Sequence, residues 1–202
     1  MHSNKGNRGT AAGTLRVIGG KYRSRLIRVP ARPGLRPTPD RVRETLFNWL
    51  GQDLSGLACL DLYAGSGALG FEAASRGAAR VVLVEKDRAA VAELERSRAA
   101  LGATQVEIVS GDAAAYLARD HERLGARPAG RFGVVFLDPP FRQNAVPVIL
   151  DALAPRLEPG ARVYVESAAP VEAAAPWTEL KRARAGQVSY QLLRWDAKEG
   201  RP

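Results

Sequence analysis

The stretch LACLDLYAGSGALGFEA, residues 57–73, decides the fold. Its opening part, 57–63, is almost wholly apolar and reads as a strand buried on both faces. Three glycines follow at once, Gly65, Gly67 and Gly70, and then a helix-forming run rich in Ala and Leu. Glycine there permits positive φ and lets a ligand approach the backbone without meeting a Cβ. The helix that starts at this turn aims its unpaired N–H groups at whatever lies over it. A strand, a glycine turn and a helix in this order form a nucleotide-type cofactor site.

Two cofactor classes fit the spacing. Residues 65–70, GSGALG, satisfy G-x-G-x-x-G, and Glu85 lies where a ribose-binding acid of a dinucleotide enzyme belongs. A nicotinamide or flavin oxidoreductase matches these features. Asp61 pulls the other way. An acid at the strand end, just ahead of the first glycine, repels a pyrophosphate and suits a cofactor carrying an amino cation and a sulfonium.

Outward from this stretch, strand and helix signals alternate. Strands are expected at 80–85, 105–110, 132–137 and 162–166, and helices at 87–101, 113–124 and 145–157, with a closing hairpin at 178–183 and 188–195. Such alternation implies right-handed crossovers and a mostly parallel sheet covered on both faces, with ligands at the carboxyl ends of the strands. Asp61, Glu85, Asp112 and Asp138 each stand at the end of one of the first four strands.

Toward the amino terminus the composition changes. Residues 1–50 hold eleven Lys or Arg against two acids, so the whole net charge of +9 lies in the first quarter of the chain. That concentration is the footprint of contact with a polyanion, nucleic acid being the commonest. Residues 1–13 read as a disordered basic arm. Residues 14–30 read as two short strands around a turn at Gly19 and Gly20, and 30–37 as a Pro/Gly linker. Arg16, Lys21, Arg23, Arg25 and Arg28 alternate there with apolar residues, so one face can lie on protein while the other meets phosphates. Thr38 and Pro39 read as N-cap and first residue of a helix through Leu50, opening the main domain, 38–202.

The remaining inventory excludes more than it adds. One cysteine, Cys59, rules out an internal disulfide, and His2 and His121 are isolated, so no metal site is expected. Neither a signal-peptide pattern nor a membrane-length apolar run occurs, and a cytoplasmic monomer is expected.

Chemistry concentrates at 138–141, DPPF, directly after the fourth buried strand. Two prolines fix φ twice and remove two backbone donors, leaving acceptor carbonyls beside the Asp138 carboxylate and the Phe141 ring. Acceptors next to an aromatic face suit a planar group bearing an exocyclic NH2. Hydrogen bonds that strengthen as that nitrogen gains positive character stabilise a transition state selectively.

In this order, Asp61 with Gly65, Ser66 and Gly67, then Glu85, Asp112 and DPPF, resemble the motifs of class I S-adenosylmethionine-dependent amino-methyltransferases. The segments LRVIGG (15–20), GLRPT (34–38) and DRVRETLFNWL (40–50) are similar to a narrower family, the bacterial 16S rRNA (guanine-N2)-methyltransferase D enzymes. The resemblance implies a Rossmann-like α/β fold with a doubly wound, mostly parallel seven-stranded sheet and an antiparallel C-terminal hairpin. It implies S-adenosylmethionine as cofactor and 16S rRNA, or an assembling small ribosomal subunit, as partner. By position, Ala64, Gly65, Ser66 and Gly67 would pass under the methionine moiety with Asp61 near its ammonium. Glu85, next to Lys86, would meet the ribose, and Asp112, with Ala113, the adenine. Thr38 and Arg41 would lie near the cofactor carboxylate. Asp138 and Pro139 would hold the guanine N2, with Pro140 stiffening the turn and Phe141 stacking on the base. Arg16, Lys21, Arg23, Arg25, Arg28 and Arg36 would grip RNA. Direct in-line transfer without a covalent enzyme intermediate is expected. The tetrapeptide leaves adenine N6 or a glutamine amide open as targets, and an oxidoreductase or a non-catalytic RNA-binding module stands behind those.

Overall fold

The computed structural model describes residues 13–29, 38–118, 131–140 and 146–197. Its elements in chain order are β1 (Gly13–Arg16), β2 (Leu26–Val29), α1 (Asp40–Leu50), β3 (Ala58–Asp61), α2 (Ala68–Ser75), β4 (Arg80–Glu85), α3 (Arg88–Leu101), β5 (Val106–Ser110), α4 (Ala113–Ala118), β6 (Phe132–Leu137), α5 (Val146–Leu153), β7 (Leu157–Ser167), β8 (Trp177–Ala185) and β9 (Val188–Trp195).

The last seven strands form one sheet in the order β5-β4-β3-β6-β7-β9-β8. β3 to β7 are parallel, and β9 runs antiparallel between β7 and β8. The chain starts the sheet in its middle at β3, winds outward to β5, returns, and winds the other way through β6. The reversal point lies between β3 and β6, where an open α/β sheet leaves a crevice at its carboxyl edge. This is the expected seven-stranded class I methyltransferase fold.

Burial explains the strand pattern. β4 and β6 are continuous apolar runs because both faces are covered. One face packs Cys59, Leu83, Phe136 and Tyr164 under α1, α2 and α3. The other packs Leu60, Val84, Val135 and Val163 under α4 and α5.

β1 and β2 pair antiparallel, with Leu15 opposite Ile27. Leu15, Val17, Tyr22 and Ile27 are buried and join the core on the α1–α3 face, whereas Arg16, Lys21, Arg23, Arg25 and Arg28 are exposed. The tight turn expected at Gly19 and Gly20 is absent: the connection takes residues 17–25 and docks on the end of α2. The Lys21 N–H donates to the Ser75 carbonyl at 2.7 Å, and a Cβ on Gly20, at φ +73°, would sit 1.9 Å from that carbonyl oxygen. Glycine is required there for a close approach between elements rather than for a hairpin turn.

Other boundaries also moved for local reasons. α1 starts at Asp40 behind an extended Pro39, with no side-chain cap; Thr38 is not the N-cap. α5 stops at Leu153 and a 3-10 turn at Ala154–Arg156 follows, because Pro155 lacks the N–H that continues a helix. Leu157, expected in that helix, begins β7 instead. α4 is described only as far as Ala118, and the expected remainder of that helix lies outside the described residues.

Candidate active site at the carboxyl edge of the sheet

The glycine turn is held by an acid from the neighbouring strand. Glu85, the last residue of β4, accepts the Gly65 N–H through Oε2 at 2.8 Å. Its Oε1 accepts the Asp87 N–H at 2.8 Å. Asp87 in turn caps α3 by accepting from the Ala90 N–H at 2.9 Å. One carboxylate therefore fixes the turn after β3 and the start of the helix after β4. Gly65 and Gly67 both adopt positive φ, 53° and 78°, and Gly67 is the residue from which α2 starts. Ala64, just before them, and Ser66, between them, are buried.

Asp61 ends β3, is 3% exposed, and takes backbone hydrogen bonds from Gly70 and Tyr63. The Gly70 bond uses a first-turn N–H of α2 that has no acceptor within the helix. Burial first, and then the charges of Glu85 and Glu166, carry the Asp61 carboxyl up to about 7 against the two backbone bonds. Asp138, directly after β6, is partly buried. Its carboxyl is raised well above the ordinary carboxylate range by burial and then by Glu166 and Asp61. Asp112 is exposed and caps α4, its Oδ1 accepting from Ala114 N at 2.9 Å. Lys86 is exposed, and Ala113 is buried at the start of α4.

Glu166 is the site residue that sequence reasoning missed. It follows the run of β7 that pairs with β6, one place past the Leu137–Val165 pair, so it lies alongside Asp138. Its Oε1 accepts the Tyr164 hydroxyl at 2.9 Å and the Thr38 hydroxyl at 3.2 Å. Thr38 thus ties the start of α1 to the acidic edge instead of capping the helix. Burial raises the Glu166 carboxyl, while the hydroxyls of Tyr164 and Thr38 hold it down. The signal was in view: an acid closes the 162–166 strand as acids close the other four. It lacked a glycine or proline motif to mark it.

Arg41 is exposed on the first turn of α1. Pro139 is buried and Pro140 exposed behind Asp138. Phe141 and Arg36 lie outside the described residues.

This edge answers the choice between cofactor classes. Asp61, Asp138 and Glu166 repel one another in a buried setting, so their ionised forms are stabilised by a cation placed among them. A pyrophosphate would add negative charge to the same place. An ammonium and a sulfonium fit the donor set; a dinucleotide does not.

Comparison with known proteins agrees. A family model described as "Conserved hypothetical protein 95" matches residues 15–194. The ribosomal RNA small subunit methyltransferase D of Escherichia coli K12 is 41% identical over 93% of this chain and 93% of its own length. That of Haemophilus influenzae is 39% identical over 90% of this chain and 94% of its own. The solved Escherichia coli protein yhhF has a TM-score of 0.80 at 41% identity, covering 92% of this chain and 100% of that one. With the match running through the basic hairpin, the acidic edge and the C-terminal strands alike, the chain belongs to the ribosomal RNA small subunit methyltransferase D family.

Proposed function

We propose that this protein is an S-adenosylmethionine-dependent rRNA methyltransferase that modifies the exocyclic N2 of one guanine in small-subunit rRNA. The observation that carries the reading is the acidic carboxyl edge, built from Asp61, Glu85, Asp138 and Glu166 at the ends of β3, β4, β6 and β7 beside a glycine turn. The names of the curated relatives support rRNA as the substrate.

When bound, the cofactor supplies an electrophilic methyl group on a sulfonium, for direct in-line transfer to the amino nitrogen. Asp61 would balance its ammonium, Glu85 would accept from the ribose hydroxyls, Asp112 would take the adenine amino group, and Thr38 and Arg41 would hold the carboxylate end. Asp138 and the Pro139 carbonyl accept the two N–H bonds of the target amine, turning its lone pair toward the methyl group. The nitrogen gains a methyl and loses a proton, for which Asp138 is the adjacent acceptor. An aryl amine is a weak nucleophile, so positioning and acceptor strength carry the rate. The exposed basic residues of the N-terminal hairpin hold RNA phosphates, and a paired guanine is extruded to reach the edge.

The test is transfer of labelled methyl to small subunits, naked rRNA and DNA, followed by nucleoside analysis. N2-methylguanosine from rRNA is expected. Label in adenine, DNA or protein instead would replace the substrate assignment.

A further inference from the structure

A groove of about 470 Å3 opens between the segment after β7 and the tip of the β8–β9 hairpin, lined by Ala168, Ala169, Pro170, Arg182, Arg184 and Ser189. Its position follows from strand register. β9 runs antiparallel to β7 with Glu166 opposite Tyr190 and Ser167 opposite Ser189, so the hairpin tip stands at the carboxyl edge, beside the acids of the candidate active site. Arg182 pairs with Gln191 and Arg184 with Ser189 across the hairpin. Gln191 opposes Val165 of β7, and Val165 belongs to the core on the α4–α5 side. The groove therefore lies on the sheet face opposite the N-terminal hairpin.

The charged side chains that line it are two arginines, Arg182 and Arg184, with Glu179 of β8 as the neighbouring acid. Arg182 is held by Glu179, through Nε at 3.1 Å and a second nitrogen at 2.8 Å. Arg184 donates Nε to the Gly186 carbonyl at 2.9 Å, which aims its guanidinium and leaves its terminal nitrogens without a partner among the described residues. Beside the two arginines the lining is small and apolar: Ala168, Ala169 and Pro170. Planar cations flanking a shallow apolar floor match a sugar with its phosphate, the guanidinium taking the phosphate oxygens.

We propose that this groove is a second RNA-contact surface, holding a ribose–phosphate segment of the rRNA beside the target nucleotide. The proposal rests on the rRNA-methylation reading above. It places the substrate between two basic surfaces on opposite faces of the sheet, with the acidic edge between them.

The test uses the full chain with Arg182→Ala/Arg184→Ala and Arg182→Lys/Arg184→Lys, binding naked small-subunit rRNA over a salt series. The alanine pair is expected to weaken binding and to lower the slope of log affinity against log salt by about 2, with S-adenosylhomocysteine affinity unchanged. The lysine pair is expected to keep most of that slope. Ultraviolet crosslinking of the unaltered protein to rRNA is expected to mark peptides from 168–190, independently of any variant. An unchanged slope in the alanine pair overturns the proposal. So does crosslinking confined to residues 14–29, or a defect seen with subunits but not with naked rRNA, which would assign the groove to a protein partner. If the unaltered protein methylates no rRNA, the function itself falls and this proposal with it, a result distinct from a working enzyme with an idle groove.

Discussion

Asp61 and Glu72 show what a single buried carboxylate does in two settings. Among the described residues Asp61 has no basic partner, and its carboxyl is carried from 3.8 to about 7 by burial first, against the bonds from Gly70 and Tyr63. Between those values the folded chain keeps a proton that the unfolded chain has released. Stability of the cofactor-free protein should therefore fall as pH rises from about 4 to about 7. Thermal unfolding across that range checks this, and Asp61→Asn should flatten the profile. S-adenosylhomocysteine, whose ammonium offsets the exposed cost, should stabilise the protein more at pH 8 than at pH 5. Glu72 is fully buried on α2 but fully partnered. It accepts the Ile18 and Gly19 N–H groups, each at 2.8 Å, and pairs with Arg43 at 3.3 Å and Arg76 at 2.8 Å. Arg43 is itself buried. Glu72→Ala leaves a buried guanidinium short of its counter-charge and should cost about 3–5 kcal/mol in denaturant unfolding. At the reacting centre, Asp138→Ala should abolish methyl transfer while S-adenosylhomocysteine affinity, read by calorimetry, stays near the unaltered value.

Among elements, the N-terminal hairpin is both a wall of the core and a basic surface. Its exposed arginines are not equivalent. Arg25 donates to the Ala100 carbonyl at 2.7 Å and so finishes the end of α3, whereas among the described residues no such bond to a neighbouring element ties down Arg23. Replacing Arg23 and Arg28 by Ala should weaken RNA binding and flatten its salt dependence without changing the unfolding midpoint. Replacing Arg25 should in addition lower stability, by about 1 kcal/mol. Gly20→Ala, with its Cβ driven into the Ser75 carbonyl, should undock the loop at residues 17–25 and raise hydrogen exchange there. The hairpin also marks where the sequence was opaque. Gly19 and Gly20 look like a turn, and only the contact with α2 reveals why the second glycine is there. β4 and β6, by contrast, were legible to the residue, because an unbroken apolar run bounded by an acid has no other reading in an alternating chain. The end of α5 was misplaced because apolar residues continue past Pro155 into β7, and periodicity alone does not separate a buried helix end from a buried strand start. At the site, Asp61, Glu85, Asp112 and Asp138 were visible from their places after strands. Glu166 closes a strand in the same way but had no glycine or proline motif to mark it, and its tie to Thr38 forms only when α1 closes over the sheet.

For the molecule as a whole, topology explains the placement of charge. Five parallel strands deliver their carboxyl ends to one edge, and the acids there converge from segments far apart in sequence. The positive charge of the hairpin is held off that edge, on its outer face, and a small local group of arginines, Arg182 and Arg184, stands on β8 at the other side. A polyanion is thereby drawn to the flanks while a small cation is drawn to the centre. Among the described residues no helix is long and apolar enough to cross a membrane. The most direct measurement is a crystal structure with S-adenosylmethionine or its demethylated product bound. The predicted result puts the ammonium on Asp61, the ribose on Glu85, and the sulfur pointing toward Asp138 and Pro139. Ligand density elsewhere on the sheet, or an Asp138 carboxylate turned away into the core, would contradict it.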